Sequence, residues 1–437
     1  MFIKKGRRSF VFLFAGLMFI SLGFTGTALA ADKVELTFWV HSNPVFVAAA
    51  ENDASSFQEM EPNVKIIIEK FPYQQLVDKI TPAYIAGTPP DALEAPMFVV
   101  NFQMRTGQLV SVPTWVFTQK ELQEEFYPAA AGQVRLEKDG KSLYYGIPME
   151  CNVGWGPNVL VDRDAYNEAG VDEKTWGTWD DFIRDMQKLT KRDSSDKIVR
   201  SGLEVVTAAW AHAWVANYDH LGQGEMPTFN EDNTVAWDNE FGRKVLQTVD
   251  DYLNKWEVTS IELADIVCLG KKMAATQQQG PWITAMYNAD FPDLNWEYVR
   301  IPNMPGVKHP YYGTFGGWGW FVSEKSNHKE EAWKYLKLRA DPKRAVQWSL
   351  VTMAIPARIE AAEDPRIANH PAFEKWIAVL PYQIPMANYG VGVEEIRQVF
   401  SDMMMGVWLK KYSVDEAISD AAKKINAIRK RYGEIKE

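Results

Sequence analysis

The residues able to do chemistry in this chain are plentiful but unorganised for catalysis. Six histidines are scattered along 437 residues, and only His212 and His220 lie close in sequence. At a spacing of eight they lack the ligand company a metal site needs. There is no G-x-S-x-G elbow, no H-E-x-x-H and no G-x-x-x-x-G-K-[ST]. Gly390-Val-Gly392 lacks the third glycine and the preceding strand of a dinucleotide fingerprint. Carboxylates are numerous enough to supply a glycosidase-like pair, yet no spacing marks one out. What remains is recognition chemistry. Seventeen tryptophans offer flat faces for C–H patches, while carboxylates and amides answer hydroxyls. Most of those tryptophans must nevertheless be core.

The elements that would position such groups can be read from periodicity. Val34–Val40 alternates and is rich in β-formers, so it predicts a strand. A helix follows over Val45–Met60, broken by Pro62-Asn63, then a strand over Val64–Lys70. A second helix over Tyr73–Ala86 stops at Gly87-Thr88-Pro89-Pro90, and Asp91–Ala95 is a short buried strand. This β-α-β-α-β order predicts an α/β fold with a mostly parallel sheet, whose ligands sit beyond the carboxyl ends of the strands. Gln133–Tyr145 reads as a hairpin turning at Asp139-Gly140. Further helices are expected at Asp162–Ala169, Trp179–Lys191, Asn239–Trp256, Lys329–Arg339 and Ser413–Tyr432, the last with Ser413 and Glu416 as a capping box. The length favours two domains, and the absence of a low-complexity linker points to crossings by extended strands.

The first thirty residues carry the pattern of an export signal. Lys4, Lys5, Arg7 and Arg8 precede an apolar run from Phe10 to about Phe24 and the small-x-small sequence Ala28-Leu29-Ala30. Cleavage after Ala30 is expected rather than a membrane anchor. With the first cysteine at Cys151, a periplasmic protein of Gram-negative type without a lipid anchor is expected. Removing the four basic residues takes the formal charge from −10 to −14. That argues against nucleic acid and anionic lipid as partners. Cys151 and Cys268 are the two cysteines. A disulfide between them and a pair of buried thiols both stand open.

Through the segments ELTFW, PPDALEA, YYGIPME and QQQGPW, in that order, the chain resembles the extracellular solute-binding proteins of ABC sugar transporters, the group that includes maltodextrin-binding proteins. The likeness runs in order from ELTFW and PPDALEA through YYGIPME at 144–150 and QQQGPW at 277–282. It continues with GGWGWFVSEKSNHKEEAWKYLKLRADPKRAVQW at 316–348, AIPAR at 354–358, DPRIA at 364–368 and SVDEAISDAAKKI near the end. The resemblance implies a two-lobed periplasmic binding-protein (Venus-flytrap) fold with three chain crossings at the hinge. One lobe would be 31–147 with 302–350, the other 148–301 with 351–437. It implies a non-enzymatic monomer, without cofactor, that binds a sugar or polyol between the lobes and hands it to membrane permease subunits. A sensor subunit serving a membrane receptor would use the same cleft. Two further alternatives are a binder of an anionic, phosphorylated polyol, with Arg358, Arg105 and His41 as its cations, and a secreted carbohydrate-active enzyme.

The strand-end rule nominates Trp39, His41, Ser42 and Asn43 after the first strand and Glu94 after the third. The resemblance assigns Glu150 in YGIPME to ligand hydroxyls, with a hinge salt bridge as the competing role. Asn152 and Trp155 continue that crossing. Trp282 in QQQGPW matches a stacking tryptophan of the family, and Gly317 and Trp318 follow the second crossing. Trp210 and His212 fall where a stacking aromatic is expected. Arg358 can serve an anionic or hydroxylated group or the structure alone, and Asn388 and Tyr389 lie near the last crossing. The maltodextrin pattern breaks at PPDALEAPMF, where that group's tryptophan and aspartate align with Ala95 and Phe98, so maltose is not the expected cargo.

Overall fold

The computed structural model describes residues 33–435 except 139, 152–155, 208–216, 315–316 and 386–391. The export signal, Asn152, Trp155, Trp210, His212, Asn388 and Tyr389 therefore lie outside the described residues. No helix among the described residues is long and apolar enough to cross a membrane.

Residues 34–96 form the expected alternation almost to the residue. Strand β1 (Val34–His41) leads to helix α1 (Pro44–Met60), strand β2 (Val64–Phe71), helix α2 (Tyr73–Ala86) and strand β3 (Ala92–Pro96). Asn43 caps α1 by accepting the Val45 N–H, and Pro44 takes the first helical turn, where its missing N–H costs nothing. β1 pairs in parallel with β2 from Val34↔Val64 to His41↔Phe71, and with β3 at Phe38↔Ala92.

The sheet is mixed rather than mostly parallel. Trp318–Val322 returns antiparallel to β3, in the register Trp318↔Pro96 to Val322↔Ala92, and Ile147–Pro148 completes five strands beside it. The expectation missed this because the returning strand arrives from far along the chain, outside any local βαβ unit. Leu36, Phe38 and Val40 are fully buried in this sheet. One face is covered by α1 and the helix Lys329–Arg339, whose Tyr335 ring meets Phe38 and Phe57 edge-on at 5.3 and 5.5 Å. The other face is covered by α2, where Trp39 packs against Phe71 at 5.2 Å.

A second core gathers on the three antiparallel strands Thr276–Gln277, Asn158–Asp162 and Trp296–Arg300 and on the helices around them. Helices Trp179–Leu189, Glu240–Asn254, Val393–Trp408 and Val414–Arg431 supply most of its apolar side chains. The capping box of Ser413 and Glu416 is formed as expected.

Short strands carry the chain between the two cores. Ile147–Pro148 belongs to the large sheet, whereas Glu150–Cys151, two residues on, pairs with Ile355–Pro356. Gly146 lets this crossing approach closely, because a Cβ there would lie 2.4 Å from the Phe321 ring. Tyr312–Thr314 pairs with Gln383–Pro385, and the chain then rejoins the large sheet at Trp318. Gly317 makes that turn with φ +84°, a conformation side chains resist.

Candidate functional site

The carboxyl end of the large sheet gathers a cluster of rings. His41 ends β1, Phe46 lies in the first turn of α1, and Tyr73 opens α2. Trp318 starts the returning strand opposite the last residue of β3. The His41 ring lies 5.5 Å from both Phe46 and Trp318 and 6.2 Å from Tyr73. Trp318 is 5.7 Å from Phe46 and 6.0 Å from Tyr73, and Phe46 reaches Trp348 at 5.5 Å. These contacts are mostly edge-to-face, the arrangement ring quadrupoles favour. Of these five rings, all but Trp348 remain partly exposed. Burial lowers the pKa of His41, so its ring is neutral at pH 7, and its buried Nδ1 has no partner.

Glu150 lies directly against this cluster. Its carboxylate accepts the backbone N–H of Trp318, and Met149 N–H donates to the Trp318 carbonyl at 2.8 Å. The side chain is nearly buried. Burial first, and the neighbouring Glu94 carboxylate second, push the Glu150 carboxyl up to about 8 against the pull of that N–H. The competing role of a hinge salt bridge has no cation to rest on among the described residues, since Glu150 appears in no ion pair there.

From the other core, Gln277, Gln278 and Gln279 approach the crossing in sequence, all buried. Gln277 is fixed by the Tyr287 hydroxyl at 2.7 Å and by donation to the Ile266 carbonyl. Gln278 donates to the Gly156 carbonyl at 2.7 Å, and the Tyr298 hydroxyl lies 2.7 Å from the Gly280 carbonyl. The side-chain oxygens of Gln278 and Gln279 are buried and unpartnered. Trp282 then starts the helix Ile283–Asp290 with its ring half-buried. Glu204 fixes the entry to residues 208–216 by accepting the N–H groups of Val206 and Thr207, both at 2.7 Å.

Several nominated residues have other work. Trp39 is 4 % exposed, packed under α2 with the Lys79 ammonium 4.8 Å above its ring, so it is core and not cleft lining. Its alternation partner His41, two residues on, reaches the sheet end instead. Glu94 is completely buried beneath α1. Its Oε2 accepts from Arg339 at 3.1 Å and from the Trp320 indole at 3.3 Å, which makes it a counter-ion of the fold. Burial pushes its carboxyl up and Arg339 pulls it back. Ser42 is partly exposed beside the rings, its N–H bonded to Phe71. The Gly317 carbonyl accepts from Met97 N–H at 2.9 Å.

Arg358 is taken up by Glu125 at 2.8 Å and by the Ala340 carbonyl at 2.9 Å, a structural engagement. Cys151 and Cys268 are both free thiols, each buried, so the disulfide alternative does not hold. Sequence reasoning passed over Phe46, Tyr73, Trp348 and Gln279. The strand-end rule applied to β2 as well as to β1 and β3 finds Tyr73. Trp348 carries no local signal, because its helix meets the cluster only in three dimensions.

A shallow depression of about 760 Å³ lies elsewhere, between Asn239–Gln247 and Asp415. Its arginine, Arg243, is already paired with Asp238 and Asp415. It is lined by a single ring, Phe241, and has none of the orphaned polar atoms of the crossing.

Known proteins share this architecture. A solute-binding protein of an ABC transporter from Thermotoga lettingae TMO, bound with α-D-tagatose, superposes with a TM-score of 0.74 at 20% identity, covering 90% of this chain and 99% of that one. The GacH receptor of Streptomyces glaucescens, solved unliganded and with acarbose, gives 0.73 at 18% identity over 92% of this chain and all of that one. By sequence, a binding protein of Brucella abortus (strain 2308) is 23% identical over 99% of this chain and 100% of its own length. An arabinooligosaccharide-binding protein of Halalkalibacterium halodurans is 22% identical over 71% of this chain and 69% of its own. The fold is thus the two-lobed one of periplasmic sugar-binding proteins. The model of the bacterial extracellular solute-binding protein family matches residues 54–375, and the chain belongs to that non-enzymatic family.

Proposed function

We propose that this protein is the periplasmic substrate-binding component of an ABC transporter, released after cleavage of its first thirty residues. It acts as a monomer, takes a carbohydrate or sugar-like solute between its lobes and delivers it to the membrane permease. The observation that carries this reading is the cluster of His41, Phe46, Tyr73 and Trp318 with the Glu150 carboxyl bonded to its edge. Rings for C–H faces beside a buried carboxyl for hydroxyls are what a sugar site requires. The orphaned amide oxygens of Gln278 and Gln279, and the half-buried Trp282, support the opposing wall. Relatives described with tagatose, acarbose and arabinooligosaccharides point the same way. Binding residues on two cores joined by strands imply closure around the solute.

An anionic polyol is a poorer fit. Arg358 is engaged by Glu125, and Arg105 is engaged by Asn101 at 2.8 Å and by Glu434 at 3.8 Å. His41, the third cation of that alternative, is held neutral by burial.

A thermal-shift screen of mono-, di- and oligosaccharides tests the proposal. A ligand at a hundred times its Kd stabilises by about 2.7 kcal/mol through mass action, enough to raise the Tm by several degrees. One carbohydrate class should do so without turnover. A shift by amino acids, peptides or oxyanions and by no carbohydrate would overturn the reading.

A further inference from the structure

Five ionisable side chains gather where the first lobe meets the crossing: Asp53, Glu94, Glu150 and Arg339 are buried, and Arg344 is partly exposed. Four of them balance. Arg339 binds both Asp53 and Glu94 at 3.1 Å, and Arg344 closes on the other oxygen of Asp53. Glu150 is the fifth and has no counter-ion among the described residues. Its neighbours are another carboxylate, Glu94, the Trp318 N–H, and the thiol of Cys151 on its own strand. The paired strand offers only Ile355 and Pro356, and Arg358 just beyond turns away to Glu125. Arg300 lies near Tyr312 and Tyr382. Residues 152–155, 208–216, 315–316 and 386–391 contain no lysine or arginine. Their composition is apolar, aromatic and amide, with His212 as the single basic residue.

We infer that the solute carries a protonated amine, as an amino sugar or aminated cyclitol does, and that its ammonium group docks between Glu150 and the rings of His41, Tyr73 and Trp318. This rests on the sugar-binding reading above and narrows its substrate class. A neutral hydroxyl exchanges hydrogen bonds with Glu150 but leaves its charged form uncompensated. An ammonium supplies the missing counter-ion, forms a charge-assisted hydrogen bond and faces the π-systems of the surrounding rings. Anions gain nothing here, because Arg339 is already shared between Asp53 and Glu94 and Arg344 is paired with Asp53.

The inference has a proton balance. Glu150 is protonated in the free protein at mildly acidic pH, where the amine is also protonated. Docking therefore converts carboxylic acid plus ammonium into a carboxylate–ammonium pair and releases a proton to solvent.

Calorimetric titration at pH 6.5, in two buffers of different protonation enthalpy, tests this with matched pairs: D-glucose and D-glucosamine, D-galactose and D-galactosamine, cellobiose and fully deacetylated chitobiose. For at least one pair the amine should bind more than about ten-fold tighter, a difference of about 1.4 kcal/mol. Close to one proton should be released per ligand, and the neutral partner should release none. Glu150→Gln should erase both the preference and the proton release, bringing the amine and its neutral partner to equal affinity in the variant. Amines that bind no better than their neutral partners, or a preference surviving in E150Q, would overturn the amine assignment and leave the sugar reading intact. Absence of binding by every carbohydrate, charged or neutral, would overturn both. The comparison within the unaltered protein does not depend on the variant folding.

Discussion

Two buried glutamates, Glu94 and Glu150, lie close enough to feel each other's charge, and the chain treats them in opposite ways. Glu94 is enclosed beneath α1 with Arg339, Trp320 and, through Arg339, Asp53 and Arg344. The Arg339 guanidinium is itself stacked 4.9 Å from the Trp320 ring and 5.2 Å from Phe38. Glu150, on the crossing, receives one backbone N–H and no cation among the described residues. A buried charge that the fold neutralises with its own residues fixes architecture. A buried carboxyl left without a counter-ion is unfavourable until something arrives to satisfy it, which is the condition of a binding site.

The sharpest way to break this comparison is at the neutralised pair. Arg339→Met leaves Asp53 with one cation and Glu94 with none. Removing one partner of a buried pair destabilises by about 3–5 kcal/mol. Urea denaturation should show a loss of that order, and adding Glu94→Gln should restore a large part of it. A loss under about 1 kcal/mol would mean Glu94 is as uncompensated as Glu150, and the contrast would collapse.

Next in size is the pH dependence of Glu150. Its carboxyl is raised from 4.5 to about 8, so the folded state holds a proton that the unfolded chain releases in between. The stability this contributes is fully present below 4.5, falls as pH rises, and is gone once pH passes 8. Thermal denaturation across that window should decline for the native protein and flatten in Glu150→Gln. Equal slopes in both would remove Glu150 as an unsatisfied group.

The sequence could not separate these two carboxyls, and the reason is distance along the chain. Glu94 meets Arg339 across 245 residues. Both glutamates lie in short strands, and both look like cleft residues until the partner is placed. Local features fared better: β1, α1, β2 and α2 follow alternation, proline and glycine to within a residue. The ring cluster was half legible. His41 stood out beyond the first strand and Trp318 through the family resemblance, whereas Trp39 shares the face of His41 by alternation but sits two residues before the strand end, covered by Lys79 of α2. The antiparallel return of Trp318–Val322 was not legible, because nothing local sets the direction of a strand arriving from the other lobe.

The rings give a smaller but more specific test. Trp318 touches His41, Phe46 and Tyr73, and its N–H holds Glu150. Trp318→Ala should weaken solute binding by more than about ten-fold, or 1.4 kcal/mol, with far less loss of stability than Trp39→Ala, and Trp282→Ala should behave like Trp318→Ala. Isothermal titration beside a melting curve separates the two kinds of tryptophan. Normal affinity in Trp282→Ala would return that ring to the core.

The smallest expected effect belongs to Arg358, which repeats the contrast among cations. Its guanidinium joins Glu125 and the Ala340 carbonyl and lies 5.5 Å from the Phe117 ring, tying the segment after Ile355–Pro356 back onto the first lobe. Its side chain is 17% exposed and that of Glu125 38%, so solvent screens the pair and its removal should cost about 1 kcal/mol. Arg358→Met should therefore lower the melting temperature by a few degrees and leave solute affinity within about two-fold, which is under 0.5 kcal/mol. A collapse of binding with an unchanged melting curve would mean this arginine leaves Glu125 to meet the solute. The site would then hold a cation of its own, and Glu150 would no longer be the group the fold leaves unanswered.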